Sequence, residues 1–172
     1  MLTCEVMRGI LGRVLASDAP AATLLIRLMV GGVFLAEGVQ KFLSPARLGS
    51  GRFEKIGLPA PEVLGPFVGT TESICGLLVL VGLLTRLAVL PLIATMLVAM
   101  VTIKLPILLG HAFWGLNLRE LPSYGFLSMA HEARTDLSML LGATFLLIVG
   151  AGPRAWDAAL RRRLLAGHAA TE

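Results

Sequence analysis

The sequence predicts an all-α integral membrane protein, a bundle of four transmembrane helices with both termini in the cytoplasm. Of its 172 residues, 56% are hydrophobic and 15% are charged, and the mean hydropathy is +0.82. A soluble domain of this composition would have too little polar surface to cover itself. Four apolar segments also reach the length of about 20 residues that a helix needs to cross a bilayer core of about 30 Å.

Helix-breaking residues bound the four predicted spans. The spans cover about residues 21–42, 62–84, 86–109 and 134–151. Ser44–Pro45 ends the first, because the residue before a proline avoids helical geometry, and the proline-rich stretch 59–61 precedes the second. Gly82 lies in a tight turn between the second and third spans, and the stretch 150–153 closes the fourth. Backbone groups in lipid must be paired within their own segment, so the spans are predicted as helices.

Lysine and arginine outside the spans predict the orientation. One side carries seven basic residues: Arg8, Arg13, Arg86, Arg154, Arg161, Arg162 and Arg163. The other side carries four: Arg47, Arg52, Lys55 and Arg119. The excess places both termini in the cytoplasm and the loops 44–61 and 110–133 outside an inner membrane. We divide the chain into a cytoplasmic tail or interfacial helix (1–20), the membrane domain (21–152) and a basic cytoplasmic segment (153–172).

Six ionisable residues fall within the predicted spans, in what we expect to be the outer half of the bundle. They are Glu37 and Lys41 in the first span, Glu72 in the second, Lys104 in the third, and Arg134 and Asp136 in the fourth. A lone charge at the centre of a span costs about 2.5–3.5 kcal/mol, so such residues indicate a functional site by default. The alternative is a buried ion network that only fixes the register of the helices. Glu72 and Lys104 lie deepest, whereas Lys41, Arg134 and Asp136 are close enough to the interface to snorkel.

Other sites and classes of partner are weakly indicated. The net charge of +4 does not predict nucleic-acid binding, because the basic residues flank apolar segments and form no single stripe. His111 and His131 with Glu132 could bind a metal, but loop histidines more often do not, and we expect no metal site. Arg27 is expected to be an interfacial anchor that pairs with Asp157 or contacts lipid phosphates.

Several short motifs, in their order and spacing, resemble those of the DoxX family of small four-helix membrane proteins. They are Arg27 with Gly31–Phe34 and Gly38-x-x-Lys41, then Phe53 with Gly57-Leu58-Pro59, then Glu72–Gly76 with Gly82–Arg86, and finally Gly150–Pro153 with Asp157. The resemblance covers about residues 22–158. It implies a four-helix fold and a likeness to small membrane subunits of a thiosulfate:quinone oxidoreductase. Many members carry histidine immediately before the glycine of Gly-x-x-Lys, and this chain has Glu37 there.

Three functions remain open at this point. In the first, the bundle binds a quinone: Glu72, Lys104, Glu37 and Lys41 bond its carbonyls or relay protons, and Asp136 and Arg134 line the exit. In the second, the same charges line a transport or permeation path. In the third, the protein is a structural or assembly subunit whose ion network only fixes packing. No redox cofactor is evident in the sequence, so a redox role would need a quinone or a partner subunit. The expected partners are membrane lipids, other membrane or peripheral redox subunits, or a second copy of the chain.

Overall fold

A computed structural model describes Leu15, Ser17 and residues 19–169, with side chains up to Arg163. The described residues form helices joined by turns, and no β-strand occurs among them. The all-α prediction is therefore confirmed over this part of the chain. The predicted N-terminal tail or interfacial helix, residues 1–20, falls largely outside it.

Seven helices are described. They are α1 (Thr23–Leu43), α2 (Pro45–Leu48), α3 (Ser50–Ile56), α4 (Pro61–Val81), α5 (Thr85–Leu109), α6 (Phe126–Val149) and α7 (Trp156–Ala169). Three of them, α1, α4 and α5, are long and apolar enough to cross a membrane. Their ends lie within three residues of the predicted spans. The 24-residue α6 is long enough, but every 18-residue stretch of it contains Glu132, Arg134 and Asp136, so a fourth crossing stays a prediction.

Two of the predicted loops differ from the structure. The 44–61 loop contains α2 and α3, where Pro45 occupies the first turn of α2, a position that suits its fixed φ. The 110–133 loop is shorter than predicted, because α6 begins at Phe126 and takes its last eight residues. Those eight residues are polar and apolar in mixture, so a search for lipid-compatible runs does not find them, although they are helical.

Close backbone contact joins α1 to α4, which run antiparallel. Four glycines at heptad spacing line the contact: Gly31 and Gly38 on α1, and Gly69 and Gly76 on α4. A Cβ atom added to Gly38 would lie 2.6 Å from the amide nitrogen of Ser73 and 2.7 Å from the carbonyl oxygen of Gly69. Small residues allow this approach in membranes, where packing drives helix association. Gly65, which pairs with Gly69 in sequence spacing, instead faces the short helix α3 at Ser50.

The helix bundle has two ends, which we call the turn end and the loop end after the segments found there. The turn end holds the α4–α5 turn and the start of α7, because the amide of Asp157 donates to the carbonyl of Gly82 at 2.9 Å. The loop end holds α2, α3 and residues 110–125, because the amide of Asn117 donates to the carbonyl of Ile56 at 2.7 Å. Among the described residues, the basic side chains therefore lie at two ends as the sequence predicts, while the side of the membrane that each end faces stays a prediction.

Arg27 is a buried cross-link at the turn end, with 2% of its surface exposed. Its guanidinium donates to four backbone carbonyls: Val79 (3.0 Å), Leu80 (2.6 Å), Ala151 (3.3 Å) and Arg154 (2.9 Å). The first two belong to the last turn of α4, where carbonyls have no partner within the helix. The structure thus does not place Arg27 as the expected interfacial anchor, because its buried guanidinium bonds the end of α4 and the segment between α6 and α7.

Asp157 also bonds backbone groups at the turn end, at the start of α5. Its carboxylate accepts hydrogen bonds from the amides of Leu84 at 2.6 Å and Thr85 at 3.0 Å, which caps the start of α5. A carboxylate there also interacts favourably with the dipole of α5. Arg27 and Asp157 therefore act on the backbone rather than as the expected ion pair, and together they fix how α4, α5 and the segment before α7 meet.

Replacing Gly38 tests the α1–α4 contact. We expect Gly38→Ala to lower the free energy of unfolding by about 1–3 kcal/mol, because its Cβ would overlap the backbone of α4. Gly32→Ala is the matched control: a Cβ there meets nothing within 4 Å, so the gain in helix propensity should leave stability unchanged or raised. The measurement is thermal unfolding in one detergent. Equal unfolding temperatures for the two variants would contradict the packing described.

Replacing Arg27 tests the turn end. Arg27→Leu removes a donor from four carbonyls that are buried or partly buried, of which Val79 also accepts from the amide of Gly82. We expect a loss of about 3 kcal/mol in the free energy of unfolding, since each unsatisfied buried group costs about 1–3 kcal/mol. Arg154→Ala removes a positive charge from the same end, where that side chain is exposed, and should change little. If Arg27→Leu unfolds at the same temperature as Arg154→Ala, the bonds from Arg27 to the carbonyls do not stabilise the turn end beyond the effect of removing a positive charge.

Candidate functional site

A cavity of about 680 Å³ lies between the four long helices, toward the loop end. This volume is within the range of about 300–1,000 Å³ that small-molecule sites occupy. Most of the lining is apolar. Eight ionisable side chains also line it: Glu37, Lys41, Arg52, Glu72, Lys104, Arg119, Glu132 and Asp136.

The first charged pair joins α1 to α4. Nζ of Lys41 lies 2.5 Å from Oε2 of Glu72, and the two side chains are 9% and 5% exposed. The carboxylate of Glu37, one helical turn before Lys41, lies 3.8 Å from the same Nζ and is 48% exposed. The glycine contact between α1 and α4 explains the pairing, because Gly69 packs directly against the Lys41 side chain and brings Glu72, one turn further along, within its reach.

The second charged pair joins α5 to α6. Nζ of Lys104 lies 2.8 Å from Oδ2 of Asp136 and donates to the carbonyl of Glu132 at 2.7 Å. The side chain of Lys104 is 6% exposed. An ammonium group has three donors, so these two acceptors leave one N–H of Lys104 for a ligand.

A local widening of α5 precedes this pair. Residues Met100–Lys104 form a π-helical turn, and Leu105–Leu109 then continues as α-helix. Pro106 explains the change, because in a regular helix its ring would clash with the carbonyl four residues earlier. Single π-turns are frequent at functional sites. Here the π-helical turn ends at Lys104, which lines the cavity.

The structure brings together five of the six residues that the sequence singled out. Glu37, Lys41, Glu72, Lys104 and Asp136 all line the cavity. Arg134 does not: it is exposed, and its Nη1 lies 2.8 Å from Nδ1 of His131. It precedes Asp136 by two residues, which turns it by about 200° around α6. The roles of the five remain predictions.

Three cavity residues were missed by the sequence reasoning. Arg52 lies on α3, inside a stretch that was predicted as loop, and Arg119 and Glu132 lay in the other predicted loop. Nη1 of Arg119 is 2.8 Å from Oε2 of Glu132. The spacing of Glu132 and Asp136, four residues apart, was the available signal, since that spacing places both on one helix face. All three residues that were weighed as metal ligands have other partners: Glu132 contacts Arg119, His131 lies beside Arg134, and Nδ1 of His111 lies 2.9 Å from the carbonyl oxygen of Ala112.

The charges of the cavity balance. Four carboxylates face four cations, and the two buried lysine–carboxylate pairs belong to different helix pairs, one on α1 and α4 and the other on α5 and α6. Such a cavity offers hydrogen-bond donors and acceptors, and its lining carries no net formal charge that would favour an ion of either sign. Its chemistry suits a neutral ligand with polar atoms, held within apolar walls.

Comparison with known proteins agrees with the motifs. The DoxX family model matches residues 22–105. An uncharacterized membrane protein of Mycobacterium tuberculosis (strain ATCC 25618 / H37Rv) is 48% identical over 154 residues, which cover 90% of each chain. No solved structure matches significantly. The match to the family model and the identity along nearly the whole chain confirm the resemblance that the sequence motifs indicated, and the chain belongs to the DoxX family.

Proposed function

We propose that the protein is an inner-membrane, quinone-binding component of an oxidoreductase complex, and that the cavity takes the quinone ring. The observation that carries the proposal is the pair of buried lysines, Lys41 and Lys104, in one cavity of ligand size. They stand on separate helix pairs, each beside a carboxylate. A quinone carries two carbonyl acceptors at opposite ends of an apolar ring, so donors on separate walls around an apolar slot fit its shape.

The carboxylates suit the proton chemistry of a quinone. Reduction to a quinol adds two electrons and two protons, one proton to each carbonyl oxygen. Glu72 and Asp136 each contact the lysine on their side of the cavity. The lysine ammonium would give its proton to the bound oxygen, and the carboxylate, after taking up a proton from outside, would return one to the resulting amine. The electrons would come from a partner subunit, because the fold supplies the ligand's surroundings and the cofactor carries the redox step.

The charge balance favours quinone binding over permeation. A path for ions would gain from an excess of one charge along its walls, whereas here four cations face four carboxylates. A structural role is the second candidate, because Lys41–Glu72 and Lys104–Asp136 each tie two helices together. Buried ion pairs seldom add net stability compared with apolar residues of similar size, so packing alone is a weak reason for two of them.

We also propose that α6 is the fourth membrane crossing and that both termini are cytoplasmic. Four large apolar residues form an exposed stripe along one face of α6: Leu137, Leu141, Phe145 and Ile148. Their spacing of three or four residues is that of a helix face turned toward lipid. Glu132 and Asp136 face the cavity instead, so two of the three charges that lower the hydropathy of α6 are turned away from the bilayer. The third, Arg134, is exposed in the first half of the helix, where a long side chain can extend to the interface.

Quinone binding tests the proposed function. The protein in lipid nanodiscs is titrated with decylubiquinone and with a menaquinone analogue. We expect Lys104→Met and Glu72→Gln each to weaken binding by about tenfold, since a hydrogen bond from a charged group contributes about 1.5–3 kcal/mol. Lys104→Met loses a donor, and Glu72→Gln loses the charge that orients Lys41.

Arg134→Met is the matched control, because it removes a cation at the loop end that lies outside the cavity. The Arg134→Met protein should bind quinone as the wild type does. If the wild type binds neither quinone, or if all variants bind equally, the quinone proposal is wrong. Lower unfolding temperatures for Lys104→Met and Glu72→Gln without any wild-type binding would favour the structural role.

Cysteine labelling tests the number of crossings and the orientation. In a background with Cys4 and Cys75 replaced by serine, we introduce Glu120→Cys between α5 and α6 or Ala159→Cys in α7, both at exposed positions. An impermeant maleimide should label Glu120→Cys in intact cells and Ala159→Cys only after permeabilisation. Labelling of both from the same side would mean that α6 does not cross, and the reversed pattern would invert the orientation.

A further inference from the structure

We infer that the cavity opens sideways into the bilayer between α4 and α5, and that this opening takes the hydrocarbon chain of the ligand. We call it the lateral mouth and define it by eight cavity-lining residues: Leu64, Phe67, Val68 and Thr71 on α4, and Pro91, Ala94, Thr95 and Val98 on α5. The inference rests on the proposed function in one respect, namely that the ligand is dissolved in the membrane.

Exposure shows where the cavity reaches the surface. Phe67 is 64% exposed and Val98 is 53% exposed, although both line the cavity, and Ala94 is exposed as well. A side chain that faces both a cavity and the outside lies at the rim of an opening. Between α4 and α5 the rim is therefore formed by one residue of α4 and two of α5, whereas Glu37, Arg119 and Thr135, which are also exposed and line the cavity, mark openings elsewhere.

The two sides of the rim lie at the same height. Phe67 precedes Gly82 by 15 residues and Val98 follows Leu83 by 15 residues. At 1.5 Å per residue, both stand about 22 Å from the turn end, which is within the length of a membrane span. The mouth residues on each helix fall at positions i, i+3, i+4 and i+7, so each set forms one continuous helical stripe that faces the cavity.

The surroundings of the rim are lipid-facing. Helices α4 and α5 are two of the three that are long and apolar enough to cross a membrane. Beside the rim, Val63 on α4 is 68% exposed and Leu97 on α5 is 50% exposed. Large exposed apolar side chains on membrane-spanning helices belong against acyl chains. A molecule reaching the cavity through the mouth would thus come from the hydrocarbon layer and not from water.

The chemistry of the mouth selects a chain rather than a polar head. None of its eight residues is charged, and the eight ionisable groups that line the cavity are all elsewhere on its wall. The exposed charged groups, Glu37 and Arg119, lie on α1 and in the segment before α6. A ligand with an apolar chain and a polar head would place the chain between Phe67 and Val98 and the head against Lys41 and Lys104.

Photolabelling tests access through the mouth without requiring that the ligand be a quinone. The probe is a decyl alcohol with a diazirine near the middle of its chain, added to the full-length protein in phosphatidylcholine nanodiscs. Labelled residues are identified by mass spectrometry. In the wild type we expect labelling of Thr95 and Met96, which line the cavity and are half-buried. The comparison is between Val98→Trp and Leu97→Trp, neighbouring exposed positions of which only the first lines the cavity.

Val98→Trp should reduce labelling of Thr95 and Met96 by about tenfold, because the indole would fill the mouth and deny burial to about two methylene groups of the chain. Leu97→Trp should leave the labelling within about twofold of the wild type, because a twofold change corresponds to a difference in binding free energy smaller than RT. The inference is overturned if Val98→Trp and Leu97→Trp label alike, or if the wild type is labelled at Leu97 but not at Thr95 and Met96.

A competition arm separates this result from the proposed function. Unlabelled decylubiquinone should displace the probe from the cavity, whereas decanol at the same concentration should displace it less. Displacement by both compounds to the same extent, with the effect of Val98→Trp intact, would leave the mouth established and remove the argument for a quinone head. Loss of the Val98→Trp effect while decylubiquinone still competes would mean that a quinone binds but reaches the cavity by another route.

Discussion

A buried ammonium group needs a negative partner, and this requirement sets the arrangement of the bundle at the loop end. Lys41 on α1 contacts Glu72 on α4, and Lys104 on α5 contacts Asp136 on α6. Neither pair could form without close helix packing, because lysine and carboxylate must approach to hydrogen-bonding distance. The glycines on α1 and α4 give the first pair that proximity. Two tightly joined helix pairs result, and the cavity is the space between them.

The opposite end is closed by a different use of charge. There Arg27 and Asp157 bond backbone groups that the ends of α4 and α5 leave without partners, so the four long helices are held together where the chain turns. One end is thus fixed by bonds to the backbone, and the other is joined by two separate side-chain pairs. A bundle closed at one end and joined pairwise at the other can hold a ligand without exposing unpaired backbone groups to lipid.

Sequence reasoning found what depends on length and apolar composition, and missed what depends on rotation around a helix. The spans α1, α4 and α5 were predicted to within three residues, because an uninterrupted apolar run of this length is typical of a membrane-spanning helix. Arg134 was grouped with the cavity residues because depth can be counted along the chain, whereas its direction requires the position of the neighbouring helices. Arg52, Arg119 and Glu132 were missed because they lay in stretches that were predicted as loops. The π-helical turn that carries Lys104 has no sequence signal beyond Pro106 two residues later.

Glu37 links the buried pair to the outside. It stands where many members of the DoxX family carry histidine, at 3.8 Å from the ammonium of Lys41 and with 48% of its side chain exposed. A carboxylate cannot take the role of a neutral imidazole, which both donates and accepts a hydrogen bond, but it can pair with the ammonium of Lys41. Glu72 is 5% exposed, and it reaches the outside only through the cavity and through Lys41. The substitution therefore replaces a ring that can donate and accept hydrogen bonds with a carboxylate that partners Lys41 at the boundary between the surface and the cavity.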